Sequence, residues 1–141
     1  SQTQQGQVTM SLKRYNPDTV CKPLAAYSQN TEVPAGARWL VTAGQVGITP
    51  DGTLLKDRDE QITQTWKNVR AVVEAAGMTC DDIVKLTIFM VADATDMMGH
   101  SRAARGEVMG GAAPGATLVY ISGLADPDMI IEVDVMAAKV D

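Results

Sequence analysis

The stretch 82–91 constrains the fold of this chain most strongly, because it has the pattern of a strand that is largely apolar on both faces toward its end. Side chains of a strand alternate between its two faces, so Ile88 and Met90 point to one side while Phe89 and Val91 point to the other. A strand with one face in water carries polar residues on that face. The stretch therefore predicts a central strand of a sheet.

The segment Arg58–Ala76, shortly before that strand, has the apolar period of a helix with one buried face. Its apolar positions recur at steps of three and four residues: Ile62, Trp66, Val69, Val73 and Ala76. Asp57 is placed to cap the first turn and Glu60 to complete a capping box, while Gly77 supplies the stop. A helix that leads into a buried strand predicts a sheet with helices packed against it.

The remaining segments fit the same architecture. Further extended segments are predicted at 11–15, 38–43, 46–48, 54–55, 117–122 and 129–137, and a second helix at 96–109. The residues 50–53 contain Asp-Gly, a strong signal for a tight hairpin. The order predicts an α+β fold in a single domain over residues 11–141, with a mixed sheet and two helices on one face. The polar, Gln-rich residues 1–10 are expected to be a disordered tail or a cloning remnant.

Charge and composition argue against several classes of function. The net charge is −5, from 12 Lys and Arg against 17 Asp and Glu, and no basic run indicates a nucleic-acid groove. No apolar run reaches the roughly 18 residues of a membrane span, and the start lacks the pattern of a signal peptide. Cys21, Cys80 and the single His100 have no metal-ligand spacing. We therefore expect a cytoplasmic protein with reduced thiols and with no metal, cofactor, nucleic acid or membrane partner.

Glu132 is the first candidate for chemistry. It lies in an alternating strand in which Ile131 and Val133 share one face while Glu132 and Asp134 share the other. On an ordinary half-exposed strand, both carboxylates would face water. In a cleft, a semi-buried carboxylate can order a water molecule and act as a general base. The pattern alone leaves both interpretations open.

Three further features are candidates for the site, and two of them have two interpretations each. Tyr27 ends a loop, where it is either a surface aromatic or one wall of a pocket with its hydroxyl aimed at a ligand. Gly44 interrupts a strand, which marks a bulge or a place where a ligand approaches the backbone closely. His100, Arg102 and Arg105 lie on the second predicted helix, where the simplest interpretation is a solvated face.

Five segments, in order along the chain, resemble the RidA/YjgF family of reactive-intermediate deaminases. They are Tyr-Ser-Gln at 27–29, Thr-Ala-Gly-Gln-Val at 42–46, Gln61 with the helix end 68–77, Asp-Ile-Val-Lys-Leu-Thr-Ile-Phe at 82–89, and Ile-Glu-Val-Asp-Val-Met-Ala at 131–137. Together they extend the resemblance over roughly residues 15–140. No single segment is decisive, but five in register are specific.

This resemblance implies a chorismate-mutase-like fold in which three subunits join their sheets into a central β-barrel, with a cleft between each pair of neighbours. It also implies hydrolysis of a small imine or enamine without a cofactor. In that chemistry a glutamate on the last strand orders a water for attack on the C=N carbon. By the resemblance Glu132 takes the place of this glutamate, and Tyr27, Gly44 and Thr117 shape the site of the small-molecule ligand.

The chain departs from the family at Ala116. In the family's Pro-Ala-Arg-(Ser/Thr) motif, an arginine holds the substrate carboxylate through a fork of hydrogen bonds. Here the residues 114–117 are Pro-Gly-Ala-Thr, and loss of such a contact costs on the order of 2–4 kcal/mol. Standard hydrolysis of 2-iminopropanoate is therefore not expected, unless Arg102 or Arg105 replaces the charge. Two hypotheses follow: a deaminase or hydrolase with a different substrate, or a non-catalytic member that binds a small metabolite or a protein.

Overall fold

Two α-helices cover one face of a four-stranded mixed sheet in the computed structural model, which describes residues 11–141. The tail expected over residues 1–10 lies outside the described residues. The strands are β1 (Lys13–Tyr15), β2 (Asn30–Glu32), β3 (Arg38–Val41), β4 (Ile83–Val91), β5 (Gly115–Ile121) and β6 (Ile131–Lys139). The helices are α1 (Arg58–Ala75) and α2 (Met98–Met109). This architecture confirms the predicted α+β fold class.

The strand β4 lies inside the sheet, as its apolar pattern predicts. The strand order is β3-β6-β4-β5, in which β4 runs parallel to β5 and antiparallel to β6, and β3 runs antiparallel to β6. Ile88, for example, pairs with Val133 on β6 and with Leu118 on β5. Paired residues share a face of the sheet, so this register fixes which side chains meet on each side.

Aliphatic side chains from α1 and from the covered face of the sheet form the core. The fully buried members include Ile62, Trp66, Val69 and Val73 of α1 and Leu86, Met90, Ile131, Val133 and Val135 of the sheet. The helix α1 packs against β6, and α2 packs beside α1. The Asp57 carboxylate accepts a hydrogen bond from the Glu60 N–H at 3.0 Å, and Gly77 follows the helix with a φ of +72°. The predicted apolar stripe, N-cap and stop are therefore confirmed.

The structure differs from the sequence-based prediction at β2 and at the start of the second helix. The strand β2, with the sequence Asn-Thr-Glu, pairs with β1 in a separate two-stranded sheet; it was not predicted because it is short, polar and without alternation. The helix predicted from Asp96 begins at Met98. Residues 92–97 before it form a 3-10 turn with a kink at Ala94, which apolar periodicity does not detect.

The hairpin predicted at residues 50–53 is present as a turn. Gly52 adopts a φ of +91°, which only glycine adopts without strain, and its N–H donates to the Thr49 carbonyl at 2.8 Å. A single bridge between Ile48 and Leu54 closes the turn. The extended segments expected at 46–48 and 54–55 therefore do not form a strand ladder.

Within residues 11–141, the face of the sheet opposite the helices is left without a covering layer. Exposed apolar side chains lie on it: Val41 is 68% exposed, Trp39 50% and Met136 40%. The register places Phe89 and Val119 of the neighbouring strands on the same face. We call this surface, formed by Trp39, Val41, Phe89, Val119 and Met136, the open face. The helices thus cover only one of the two apolar faces of β4.

Candidate functional site

A β-bulge at Gly44 shapes the backbone beside β6. Beyond the end of β3, the Thr42 N–H donates to the Val135 carbonyl at 3.1 Å, and Gln45 exchanges hydrogen bonds with Val133 at 2.7 and 2.9 Å. From Thr42 to Gln45 the chain advances three residues, whereas β6 advances two over the same distance. One extra residue therefore bulges out at Ala43–Gly44. The interpretation of Gly44 as a bulge is confirmed.

The Glu132 side chain lies directly against Gly44. A Cβ atom at Gly44 would overlap the Glu132 Oε2 atom and would lie 2.6 Å from Cδ and 2.8 Å from Cγ. Glycine is needed here because it leaves room for the carboxylate, not because of its backbone angles. The bulge and the absent side chain together create the place that the carboxylate occupies.

Glu132 is half-buried on the open side of the sheet, at the edge of the open face. It pairs with Phe89 on β4, while Ile131 and Val133 on either side of it are fully buried under the helices. Asp134, paired with Thr87, lies one row further along the same face and is also half-buried. The predicted alternation along β6 is therefore confirmed. It presents two carboxylates to the side of the sheet that has no helix.

Tyr27 lies away from this pair, in the loop before β2. Its hydroxyl accepts a hydrogen bond from the Leu24 N–H at 3.2 Å, which closes a tight loop. The Ser28 hydroxyl donates to the Ala113 carbonyl at 2.8 Å and holds the loop against the segment before β5. Since β4 separates β5 from β6, one chain alone does not bring Tyr27 next to Glu132.

Ala116 and Thr117 lie at the start of β5 on opposite faces of the sheet. Ala116 pairs with the buried Leu86 and packs partly against the core. Thr117 pairs with Thr87 and is exposed in the same row as Asp134. The two residues therefore do not point into one common cavity within a single chain.

Arg105 is not part of a solvated helix face. Its side chain is half-buried, with the guanidinium carbon 5.8 Å from the centre of the Trp66 ring, and burial lowers its pKa below the ordinary arginine value. One guanidinium nitrogen donates to the Ala26 carbonyl at 3.3 Å. Arg102, one turn earlier, is exposed. The sequence carried no signal for this, because Ser101, four residues earlier on the same side of the helix, is polar, and only the structure shows that it is buried and accepts a hydrogen bond from Trp66 Nε1 at 3.2 Å.

Gln61 and Asn68 on α1 hold the loops around the bulge. The Asn68 side-chain amide donates to the carbonyls of Val46 and Ile48, both at 2.8 Å, directly after the Gly44 bulge. The buried Gln61 amide joins three backbone groups, one of them the Ile130 N–H, which donates to Gln61 Oε1 at 2.7 Å. These two motif residues therefore have structural roles that position β6 and the bulge.

Residues 11–141 contain no group of three His, Cys, Asp or Glu side chains arranged to hold a metal ion. Neither helix in that range is long and apolar enough to cross a membrane.

Comparison with known proteins decides the family. The sequence model of the family described as Endoribonuclease L-PSP matches residues 18–139, which is nearly the whole described chain. The chain belongs to the RidA/YjgF family. This is the family that the five sequence segments resemble, so that prediction is confirmed.

Relatives of this RidA/YjgF chain differ in how much of it they match. A RutC family protein of Pyrococcus horikoshii is 33% identical over 120 residues, covering 84% of the chain and 90% of the relative. A 2-iminobutanoate/2-iminopropanoate deaminase of Salmonella typhimurium is 43% identical over 52 residues, covering 36% of the chain and 41% of the enzyme. A crystal structure of a Rid-family protein of unknown function from Yersinia pestis has a TM-score of 0.79 at 25% identity, covering 91% of the chain and 98% of that protein.

Proposed function

We propose that this RidA/YjgF protein is a cofactor-free deaminase or hydrolase that acts on a small imine or enamine metabolite. The observation that carries the proposal is the Glu132 carboxylate held against Gly44 by a β-bulge. Family membership and the similarity to an enzyme named as a 2-iminobutanoate/2-iminopropanoate deaminase support the choice of reaction.

The proposed chemistry needs one general base. Glu132 accepts a proton from a water molecule as the water oxygen attacks the carbon of the C=N bond. The nitrogen gains a proton and becomes an amine on a tetrahedral carbon. Collapse of this intermediate expels ammonia and leaves a carbonyl group, so that one water is consumed for each ammonia released. An enamine enters the same route after it tautomerises to the imine.

Ala116 limits the substrate in this proposal. Its methyl group packs partly against the core and offers no charge to a substrate carboxylate. Simple 2-imino acids such as 2-iminopropanoate are therefore not expected to be the standard substrates. Thr117, exposed on the other face of β5, is proposed to offer a hydroxyl to the ligand.

The proposed active site needs more than one chain. Glu132 and Tyr27 lie apart within one subunit, and the open face carries apolar side chains that a partner would cover. A homotrimer with its sites between subunits would join the two residues and bury the second face of β4. A cytoplasmic location is part of the same proposal and rests on the sequence.

An imine-trapping assay tests this function. An amino-acid oxidase generates 2-imino acids and an amine oxidase generates imines without a carboxylate, while semicarbazide traps whatever is not hydrolysed. Active protein lowers semicarbazone formation. We expect activity on an imine or enamine without an α-carboxylate, and we expect Glu132→Gln to reduce the rate by about 10²–10⁴-fold. Asp134→Asn, which alters the neighbouring carboxylate of the same strand, is the matched control and should retain activity.

The same assay distinguishes the proposed enzyme from the alternative, a non-catalytic binding protein. Ala116 favours a non-catalytic member that binds a small metabolite or a protein partner. Absence of turnover on both classes of imine, together with ligand binding, would support that alternative. Equal rates for wild type and Glu132→Gln would remove Glu132 from the mechanism.

A further inference from the structure

A small pocket lies between α2 and the loop that carries Tyr27. Its volume is about 140 Å³, and it is lined by Ala25, Ala26, Arg102, Arg105, Gly106, Gly110 and Ala112. Two of these seven residues are arginines, and no acidic side chain is among them. The remaining walls are alanines and glycines, whose small size creates the space. The pocket therefore combines positive charge with short apolar walls.

Arg105 is the half-buried charge of this pocket. Within residues 11–141 its guanidinium makes one hydrogen bond, to the Ala26 carbonyl, out of the five N–H groups that it carries. No carboxylate of that part of the chain forms an ion pair with it, whereas Arg38, Arg58 and Arg70 each have at least one. A half-buried cation normally has an anionic partner, because desolvation of a lone charge is costly.

The guanidinium is also held in place. It lies over the ring of the fully buried Trp66, whose indole N–H is fixed by Ser101, and the bond to Ala26 restrains its other side. A guanidinium that is already oriented loses little conformational freedom when it binds a planar anion. Its geometry matches that of a carboxylate, which it can bind through two parallel hydrogen bonds. Arg102 at the rim adds a second, exposed positive charge.

We infer that this pocket binds a small monocarboxylate, with Arg105 as the two-pronged anchor and Arg102 as a rim charge that assists. The volume allows a group of only a few non-hydrogen atoms, and the alanine walls suit a short apolar tail. A dianion such as phosphate fits less well, since more of its charge would lose water against these walls. The site does not depend on the activity proposed above.

Pyruvate binding tests the inference without reference to turnover. Calorimetric titration of the full chain gives the Kd, and the indole N–H signal of Trp66 in a ¹H–¹⁵N spectrum reports the site, because that ring lies under Arg105. The chain has two tryptophans, so Trp39→Phe assigns the two signals. We expect pyruvate to bind and to move the Trp66 signal, and inorganic phosphate to bind more weakly.

Matched variants make the test specific. Arg105→Gln should weaken pyruvate binding about 10- to 100-fold, and Arg105→Lys should retain the fold while losing the two-pronged contact. Arg102→Gln should weaken binding only a few-fold. Arg70→Gln alters an exposed arginine outside the pocket and should leave the Kd unchanged. The inference is overturned if pyruvate does not bind, if phosphate binds more tightly, or if both folded Arg105 variants bind as the wild type does.

Discussion

At Gly44 a missing side chain gives the Glu132 carboxylate its place. The backbone angles at Gly44 are open to any residue, since its φ is not in the left-handed region, so the need for glycine comes from the close approach alone. Gly47 is similar, because a Cβ atom there would lie 2.9 Å from the Gln61 Cα. Both positions show that a glycine in an extended segment beside a strand can mark close packing of another residue.

Gly44→Ala should displace the Glu132 carboxylate. The added methyl group overlaps Oε2, so the side chain must move or the bulge must open. We expect imine hydrolysis to fall at least about tenfold, and the free energy of unfolding to fall by about 1–3 kcal/mol. Turnover assays and urea unfolding measure the two effects. Gly123→Ala, where a Cβ atom meets nothing within 4 Å, is the control and should change neither. Wild-type activity in Gly44→Ala would show that the contact is dispensable.

The two cysteines should differ in reactivity. Burial raises the pKa of the Cys80 thiol above its ordinary value, so less of it is thiolate at a given pH, whereas Cys21 is exposed. With iodoacetamide at pH 8, Cys21 should be modified about tenfold faster or more. Mass spectrometry of peptides over a time course measures both rates. Similar rates would mean that Cys80 is accessible in solution.

At the scale of elements, α1 does more than cover the sheet. Its buried Gln61 accepts from the Ile130 N–H and donates to the carbonyls of Leu55 and Asp128 at 3.0 and 2.9 Å. Those groups belong to the loops that lead into α1 and into β6. The helix therefore sets the position from which β6 begins, two residues before Glu132.

Gln61→Leu should destabilise the fold strongly, although the two side chains have similar volumes. Three backbone groups lose their partner, and the Ile130 N–H is buried, so we expect the free energy of unfolding to fall by about 2–4 kcal/mol. Gln64→Leu on the same helix loses only a bond to Asn68 and should cost under about 1 kcal/mol. Urea unfolding compares the two variants. Equal, small effects would show that the Gln61 network adds little.

Prediction of the elements succeeded where the signal was local. The stripe of α1, its Asp57 cap and the burial of β4 follow from periodicity within one segment. Prediction failed at β2, whose three polar residues become a strand only because β1 lies beside them. It also missed the kink at Ala94. The chain turns there because it must connect β4 to α2, and the pattern of apolar residues does not record that turn.

At the scale of the whole molecule, the open face indicates assembly. Its apolar side chains include Val41, which is 68% exposed and pairs with Met136 on the adjacent strand. An exposed apolar surface on a sheet favours coverage by another chain. In the proposed trimer, the Tyr27 loop of one subunit is proposed to approach the Glu132 side of another, because the single chain keeps the two residues apart.

Sedimentation should give a mass of three times 15.0 kDa, that is 45.0 kDa. Val41→Glu places a charge in the open face and should produce monomers that remain folded, because the side chain is exposed in the single chain. Imine hydrolysis should be lost with the trimer. Ala71→Glu, at an exposed position of α1 away from the open face, is the control and should stay trimeric. A wild-type monomer that is fully active would contradict the inter-subunit site.

By itself the sequence determined the fold class, the family, the main helix and the central strand. It also determined the alternation that places Glu132 on the same face as Asp134. Each of these depends on motifs or on residues that are close together along the chain. The extent of the domain, 11–141, stays a prediction. Only the tertiary structure decided that Glu132 rests on Gly44, that Ala116 and Thr117 face opposite ways, and that Arg105 lies half-buried over Trp66 in a pocket with Ala26. These facts depend on strand register and on how distant segments meet, which local patterns do not encode.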